Sequence, residues 1–290
     1  MKSSHTAVLL QEVIRLLDPK VGQNFIDCTL GGAGHALELA SRIGSQGKIL
    51  GIDWDRDAVK EAKANIRSSR IHIVQGNFAN VQDIARQEKF SSVSGILFDL
   101  GFSSDQLMNG RGLSFLKDEP LDMRYDIQHP LSAKTIVNYW SKQDIEKILK
   151  EYGEERFAQD IASAIVEERA VRHIEKTGHL VKVIERAVPK KYLRGSIHVA
   201  TRTFQALRIA VNSELENLKN GLAKGVTLLP KGGKIAVISF HSLEDRIVKN
   251  FFKTHTSLAI LTKKPISPSQ EELRINRRSR SAKLRVAQKI

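Results

Sequence analysis

Short apolar runs alternate with helical patterns through the first hundred residues. Leu9, Leu10, Val13, Ile14, Leu16 and Leu17 recur at helical spacing over 5–17, and the pattern stops at Asp18-Pro19. Phe25 and Ile26 form an apolar run that ends in Asp27. Gly31, Gly32, Ala33 and Gly34 follow, and a helical pattern opens at His35 with Leu37, Ala40 and Ile43 expected on one face. A second strand is expected over 48–52, closed by Asp53, and a helix over 57–67. A third strand over 71–74 leads into Gly76-Asn77-Phe78, and a short helix covers 81–87. A fourth strand over 93–98 ends at Asp99. Strands alternating with helices at this spacing predict an α/β protein with a doubly wound, Rossmann-like parallel sheet.

The rhythm then breaks. Residues 101–130 are polar and irregular, which is unusual inside a compact domain unless the segment has a task. Over 131–188 the periodicity is helical only. Ser141 with Asp144 resembles a helix start and Gly153 a stop. Phe157, Ile161, Ala164 and Ile165 mark a second helix, and Leu180, Val181, Ile184 and Val188 a third that Pro189 halts. Phe204, Leu207, Val211, Leu215, Leu218 and Leu222 lie on one stripe and predict one long helix. An apolar strand over 234–240 follows. Ser242 with Asp245 suggests a capping box opening a helix to about Phe252, and 258–261 with 284–287 form a closing strand pair. This pattern predicts a discontinuous sheet domain, 1–105 and 201–290, interrupted by an all-helical insertion over 106–200.

Composition changes the picture in two ways. A single cysteine rules out an internal disulfide and makes a thiolate metal site improbable, which fits a reducing, cytoplasmic setting. No signal-peptide pattern and no apolar window long enough to span a bilayer is read, so no membrane partner is expected. The net charge of +14 is one-sided. Residues 1–150 hold 19 Lys and Arg against 18 Asp and Glu, whereas 151–290 hold 27 against 14. Two stretches concentrate it: 189–202, with Lys190, Lys191, Arg194 and Arg202 and no acid, and 274–289, with Arg277, Arg278, Arg280 and Lys283 among seven cations and no acid. Such segments suit the phosphates of a nucleic acid.

The candidate chemistry sits at the strand ends. The glycine turn after Asp27 lacks the third glycine of a dinucleotide fingerprint, since Leu37 stands there. A ribose-bearing ligand without a pyrophosphate, such as S-adenosylmethionine, suits it better. Asp53 follows Gly34 by 19 residues and can accept both ribose hydroxyls, or it caps the helix beside Asp55 and Asp57. Asn77 and Phe78 are placed to meet an adenine edge and face. Asp99 can orient an amine for methyl transfer or bind the cofactor. Ser239, His241 and Asp245 tempt a hydrolase reading, but the nucleophile-elbow glycines are missing, and a strand-to-helix turn is the simpler reading, with His241 free to line a pocket.

At these residues the chain resembles the bacterial ribosomal RNA small subunit methyltransferase H family. The likeness is carried by His5 to Glu12, Asp27 to His35, Gly51 to Asp53, Gly76 to Phe78 and Asp99 to Leu107. Arg111 to Phe115, Pro120 to Arg124, Tyr152 to Phe157, Ala200 to Asn212, Ile238 to Arg246 and Ser279 to Arg285 extend it along nearly the whole chain. The resemblance implies a class I S-adenosylmethionine-dependent methyltransferase acting on N4 of a cytidine in the decoding region of 16S rRNA, within the small ribosomal subunit or a late precursor. It places the cofactor at Ala33, Gly34, His35, Asp53, Phe78, Asp99 and Gln106, with no metal. Asp99 would orient the amine, Phe102 would pack near the base, and the helical insertion would recognise substrate. Ala33, Asp105, Met108 and Arg277 depart from the family pattern. A methyltransferase for another acceptor and a non-catalytic RNA-binding factor remain the competing readings.

Overall fold

A computed structural model describes residues 7–101, 110–195 and 197–290. Two compact units divide at 103/104 and 214/215.

The first unit, 1–103 with 215–290, holds one seven-stranded sheet of order β3-β2-β1-β4-β5-β7-β6. Its strands are β1 (Asn24–Asp27), β2 (Ile49–Asp53), β3 (Ile71–Gln75), β4 (Val93–Asp99), β5 (Lys234–Ser239), β6 (Leu258–Ile260) and β7 (Lys283–Lys289). The first five pair in parallel; β7 is antiparallel to both β5 and β6. The expected doubly wound α/β architecture is therefore present. The residues of β2 are buried without exception, as befits a parallel strand covered on both faces. Helices α1 (Leu10–Leu17), α2 (Gly34–Arg42), α3 (Arg56–Asn65) and α4 (Val81–Gln87) follow the expected rhythm. Within α2 the core face is Ala36, Leu39 and Ala40, continued by Ile43 just beyond its end, while Leu37 is 45% exposed. Leu37 falls on the solvent side because it lies a quarter turn from that stripe.

The long helix expected from the stripe after Phe204 is two helices in the structure. Ser213 adopts a left-handed conformation, φ 50°, and separates α9 (Ala200–Asn212) from α10 (Glu214–Leu228). The residues on each side serve different cores. Leu218, Leu222 and Val226 of α10 pack with Ile26, Ile96 and Phe98 of the sheet. Phe204, Leu207 and Val211 of α9 join Ile136, Leu149, Ile161 and Ile184 in the second unit. The chain therefore returns to the sheet unit after Glu214 rather than at 201. A fully buried Leu or Phe is worth about 1.5–3 kcal/mol, so the three apolar anchors of α9 tie it firmly to the helical core.

That second unit, 104–214, also contains α5 (Ala133–Tyr139), α6 (Lys142–Glu151), α7 (Ala158–Val171) and α8 (Thr177–Ala187). Ser141 caps α6 as expected, its hydroxyl accepting the Asp144 N–H at 3.0 Å. Helix α9 packs against α5, α6 and α8. Among the described residues no helix is long and apolar enough to cross a membrane.

Candidate active site

Parallel pairing brings the carboxyl ends of β1, β2 and β4 to one rim, and each of these strands ends in aspartate: Asp27, Asp53 and Asp99. The rim is where open α/β sheets bind ligands. The turn after β1 is tight. Gly31 has φ +46° and Ala33 φ +60°, and the N–H of Ala33 donates to Leu30 O at 2.6 Å. Alanine in this left-handed region costs roughly 1–2 kcal/mol relative to glycine. A side chain at Gly34 would put its Cβ 2.8 Å from Cβ of Ala7, so close packing demands glycine there.

Asp53 braces this turn. Its Oδ2 accepts the Gly31 N–H at 2.8 Å and its Oδ1 the Asp55 N–H at 2.9 Å. The helix-capping task belongs to Asp55, whose carboxylate accepts the Asp57 N–H at 2.9 Å. Burial pushes the Asp53 pKa up to about 6, against the pull of those backbone donors. The Trp54 N–H also bonds this carboxylate, and an ionised carboxylate offers about four lone-pair directions, so ribose hydroxyls still find an acceptor there beside the backbone donors.

Asp27 was not singled out by sequence reading, yet it is the most buried acid of the rim, only 1% exposed. Burial raises its pKa to about 6, opposed by the nearby His35 and by the Thr29 N–H that it accepts at 3.1 Å. Its sequence signal is faint: an acid directly after an apolar strand. His35 is buried beside it. Its Nε2 lies 3.0 Å from Val8 O, and its Nδ1 lies 3.6 Å from Oδ2 of Asp99. Desolvation lowers the His35 pKa, more than Asp27 and the Val8 carbonyl raise it. Asp99 is fixed from both sides: its own N–H donates to Thr29 Oγ1 at 2.6 Å, and its Oδ1 accepts the Gly101 N–H at 3.3 Å.

Phe78 lies in a single 3-10 turn, Phe78–Asn80, just after β3. Its ring meets Phe98 edge-on at 5.5 Å, and Gly221 makes room for it, since a Cβ there would approach the ring to 2.8 Å. The Asn77 side-chain oxygen is committed to this turn, accepting the Ala79 N–H at 2.9 Å, rather than left open for a base edge. Ala33, Gly34, His35, Asp53, Phe78 and Asp99 thus all belong to the rim of one sheet. Phe102, Gln106, Asp105 and Met108 lie outside the described residues.

Residues 2–290 match the family described as MraW methylase. The chain belongs to that family. Its curated relatives are similarly full-length. One from Persephonella marina, named ribosomal RNA small subunit methyltransferase H, is 47% identical over 291 residues, covering 99% of each chain. One of the same name from Clostridium botulinum strain Kyoto is 44% identical over 310 residues, covering all of both. Among solved structures, a putative rRNA-methylase from Clostridium thermocellum is 14% identical with a TM-score of 0.47, covering 99% of each chain. The sheet of this MraW-family chain is of the class I methyltransferase type.

The hydrolase-like cluster of this methylase is a helix start, displaced by one residue from the expected capping box. His241, not Ser242, caps α11 (Ser242–Thr254): its Nδ1 accepts the Glu244 N–H at 3.3 Å, and Glu244 Oε2 accepts the N–H groups of Phe240 and His241. Asp245 is engaged elsewhere, in a two-pronged pair with the buried Arg285 at 2.6 and 3.2 Å. The basic segments divide similarly. Lys190, Lys191 and Arg194 are exposed and make no ion pair among the described residues. Arg202 is half-buried and donates to Glu154 O at 2.7 Å. Arg277, Arg278 and Arg280 are exposed on a 3-10 turn, Arg277–Ser281, whereas Lys283 lies 3.5 Å from Asp245, which diverts part of its charge inward.

Proposed function

We propose that this MraW-family methylase transfers the methyl group of S-adenosylmethionine to N4 of a cytidine in the decoding region of 16S rRNA. The observation that carries the reading is the buried rim of the methylase sheet, where a glycine turn, Asp53 and Asp99 converge. The names of the relatives, which specify the small subunit RNA, support the substrate class. The residues present fit the cofactor: Asp53 has acceptors to spare for ribose hydroxyls, and the Gly31 to Gly34 turn lets the main chain approach a methionine moiety. When bound, the cofactor supplies a methyl group activated on a sulfonium. Asp99, anchored by Thr29 and Gly101, accepts an N–H of the exocyclic amine and fixes its direction. Positioning of this kind is worth up to roughly 7–11 kcal/mol of a barrier.

The cytidine must leave its stack to reach the rim, which is cheapest in a looped or single-stranded region. The helical unit and the exposed cations Lys190, Lys191, Arg194, Arg277, Arg278 and Arg280 are assigned to holding the surrounding RNA through its phosphates, with Arg202 and Lys283 as lesser contributors. Mixing the protein with labelled S-adenosylmethionine and small subunits lacking this methylation, then digesting the RNA, tests the reading. Labelled N4-methylcytidine is expected. Label appearing in another nucleoside, in protein or nowhere refutes it.

A further inference from the structure

The helical unit carries an aromatic stack that runs from its core to its surface. Phe204 of α9 is buried, and the half-buried ring of Phe115 meets it edge-on, with centroids 5.3 Å apart and planes at 76°. His198 is exposed and lies nearly flat on Phe115, with centroids 4.6 Å apart and planes 19° from parallel. One edge of the imidazole is engaged as well: its Nδ1 accepts the Ala200 N–H at 3.2 Å, at the start of α9. What His198 leaves to solvent is therefore the ring face turned away from Phe115, with the remaining edge. The helix start does not call for a ring there, since serine, asparagine or aspartate would accept the same N–H. The segment under the stack is held in place. Gly112 sits at φ +68°, its N–H donates to the buried Glu119 carboxylate at 3.0 Å, and a Cβ there would collide with Pro120 O. The Met123 N–H donates to Arg111 O at 2.8 Å, and the Glu119 N–H to Thr177 Oγ1 at 3.0 Å. Phe115 is thus fixed before any ligand arrives, which lowers the entropy cost of stacking on this pair.

We propose that the outer face of His198, backed by Phe115, is a stacking platform for one unpaired base of the RNA. This rests on the reading above that the substrate is RNA, and deepens it from phosphates to a base. A flat ring at the surface suits any flat apolar group, and charge decides which. The chain around His198, residues 189–202, holds Lys190, Lys191, Arg194 and Arg202 and no acid. Lys190, Lys191 and Arg194 are exposed, and Tyr192 pins their stretch to the helical unit with its ring 4.8 Å from Phe157. Arg194 is four residues from His198, at most about 14 Å away even in a fully extended chain. The phosphates beside a base stacked on His198 therefore lie in the field of these cations. Cations along the backbone with an aromatic face for a base are how proteins hold single-stranded nucleic acid. Exposed Leu116 and Ile197, the chain neighbours of Phe115 and His198, add apolar surface to the same two segments. Bases inside a duplex keep their faces stacked on one another, so the platform selects looped or unpaired RNA.

Two substitutions separate a platform from a merely structural histidine. His198→Asn keeps an acceptor for the Ala200 N–H and removes the ring, whereas His198→Phe keeps a ring and removes the acceptor. The probe is a single-stranded RNA of about twelve nucleotides carrying 2-aminopurine, whose fluorescence falls when the base stacks on a ring. The wild type and His198→Phe should bind it alike and quench it. His198→Asn should bind about tenfold more weakly, the scale of one lost base–aromatic stack, with an unchanged salt slope because no phosphate contact is lost. Heparin, a polyanion without bases, should bind all three proteins equally. In methylation of small subunits His198→Asn should raise KM and leave kcat unchanged, with wild-type affinity for S-adenosylhomocysteine. Wild-type RNA affinity in His198→Asn overturns the platform, and so does a loss in His198→Phe as large as in His198→Asn. Wild-type protein that binds the RNA without quenching it overturns it too, as does an equal loss of heparin binding. A wild type that makes no N4-methylcytidine refutes the reading of the reaction instead, and the binding assay, which needs no turnover, still decides the platform.

Discussion

If the buried carboxyl of Asp53 holds the cofactor ribose as proposed, cofactor affinity depends on pH in a calculable way. With its pKa near 6 in the free protein, half the molecules carry a protonated Asp53 at that pH. Ribose hydroxyls donate to the ionised form, and a protonated carboxyl offers fewer acceptors and a competing donor. Two hydrogen bonds to a charged group contribute roughly 3 kcal/mol together, enough to lower the bound-state pKa by about two units. Linkage then gives a dissociation constant about tenfold higher at pH 5 than at pH 7.5, with about half a proton released per binding event at pH 6. Calorimetric titration with S-adenosylhomocysteine at constant ionic strength measures both quantities, the proton count coming from buffers of different ionisation enthalpy. Asp53→Asn should bind about a hundredfold more weakly at pH 7.5, by the same 3 kcal/mol, and lose most of the pH dependence. A wild-type constant that is flat between pH 5 and 7.5 refutes the ribose assignment. A slope that survives intact in Asp53→Asn moves the titration to Asp27.

Other outcomes follow from the same burial and contacts. Both Asp27 and Asp53 have folded pKa values raised from 3.8 to about 6, so each contributes stability below pH 4 that is lost as pH rises through 6, about 3 kcal/mol apiece. Asp27→Asn should therefore raise the urea midpoint of the ligand-free protein at pH 7.5 and leave it little changed at pH 4. Ala33→Val puts a β-branched residue at φ +60° in a buried turn and should cost about 2 kcal/mol in the same assay. Asp245→Ala strands the buried Arg285 and should cost about 3 kcal/mol, much of it recovered when Arg285→Met is added. Replacing Lys190, Lys191 and Arg194 together by Ala should lower the salt slope of single-stranded RNA binding by about 2 on a logarithmic plot; an unchanged slope removes them from the interface.

The strand ends were legible because parallel pairing and a buried sheet leave few choices. Strands β1, β2 and β4 read as short apolar runs, and the aspartate that ends each marks the rim. The failures have a common origin, since a one-dimensional stripe does not say which core it faces. Phe204 to Leu222 keeps helical spacing straight across Ser213, so nothing in the periodicity separates the half that packs on Leu149 from the half that packs on Phe98. The capping box slipped for a related reason. Ser242 and Asp245 have the preferred side chains, but a histidine Nδ1 can accept the same N–H, and Glu244 completes the pair one position earlier. Asp27 escaped notice because its desolvation and its nearness to His35 have no sequence signature.

Buried acids elsewhere in the chain differ from those of the rim in their surroundings. In the helical unit Glu119 is 9% exposed and accepts the Gly112 N–H, while Glu155 is 3% exposed and accepts the Phe157 N–H and the Tyr192 hydroxyl. At the rim three acids from adjacent strands share one histidine and a few backbone donors, and burial leaves two of them with pKa values near 6. A fold selected for stability alone would replace at least one with a neutral residue, because a desolvated carboxylate lacking a full set of donors is costly. On the proposed reading, a ligand adds donors of its own, ribose hydroxyls to Asp53. Ligand binding should therefore stabilise the sheet unit by more than the same ligand stabilises the Asp53→Asn protein, and the surplus should shrink as pH falls below 6, where the carboxyl no longer needs the donors.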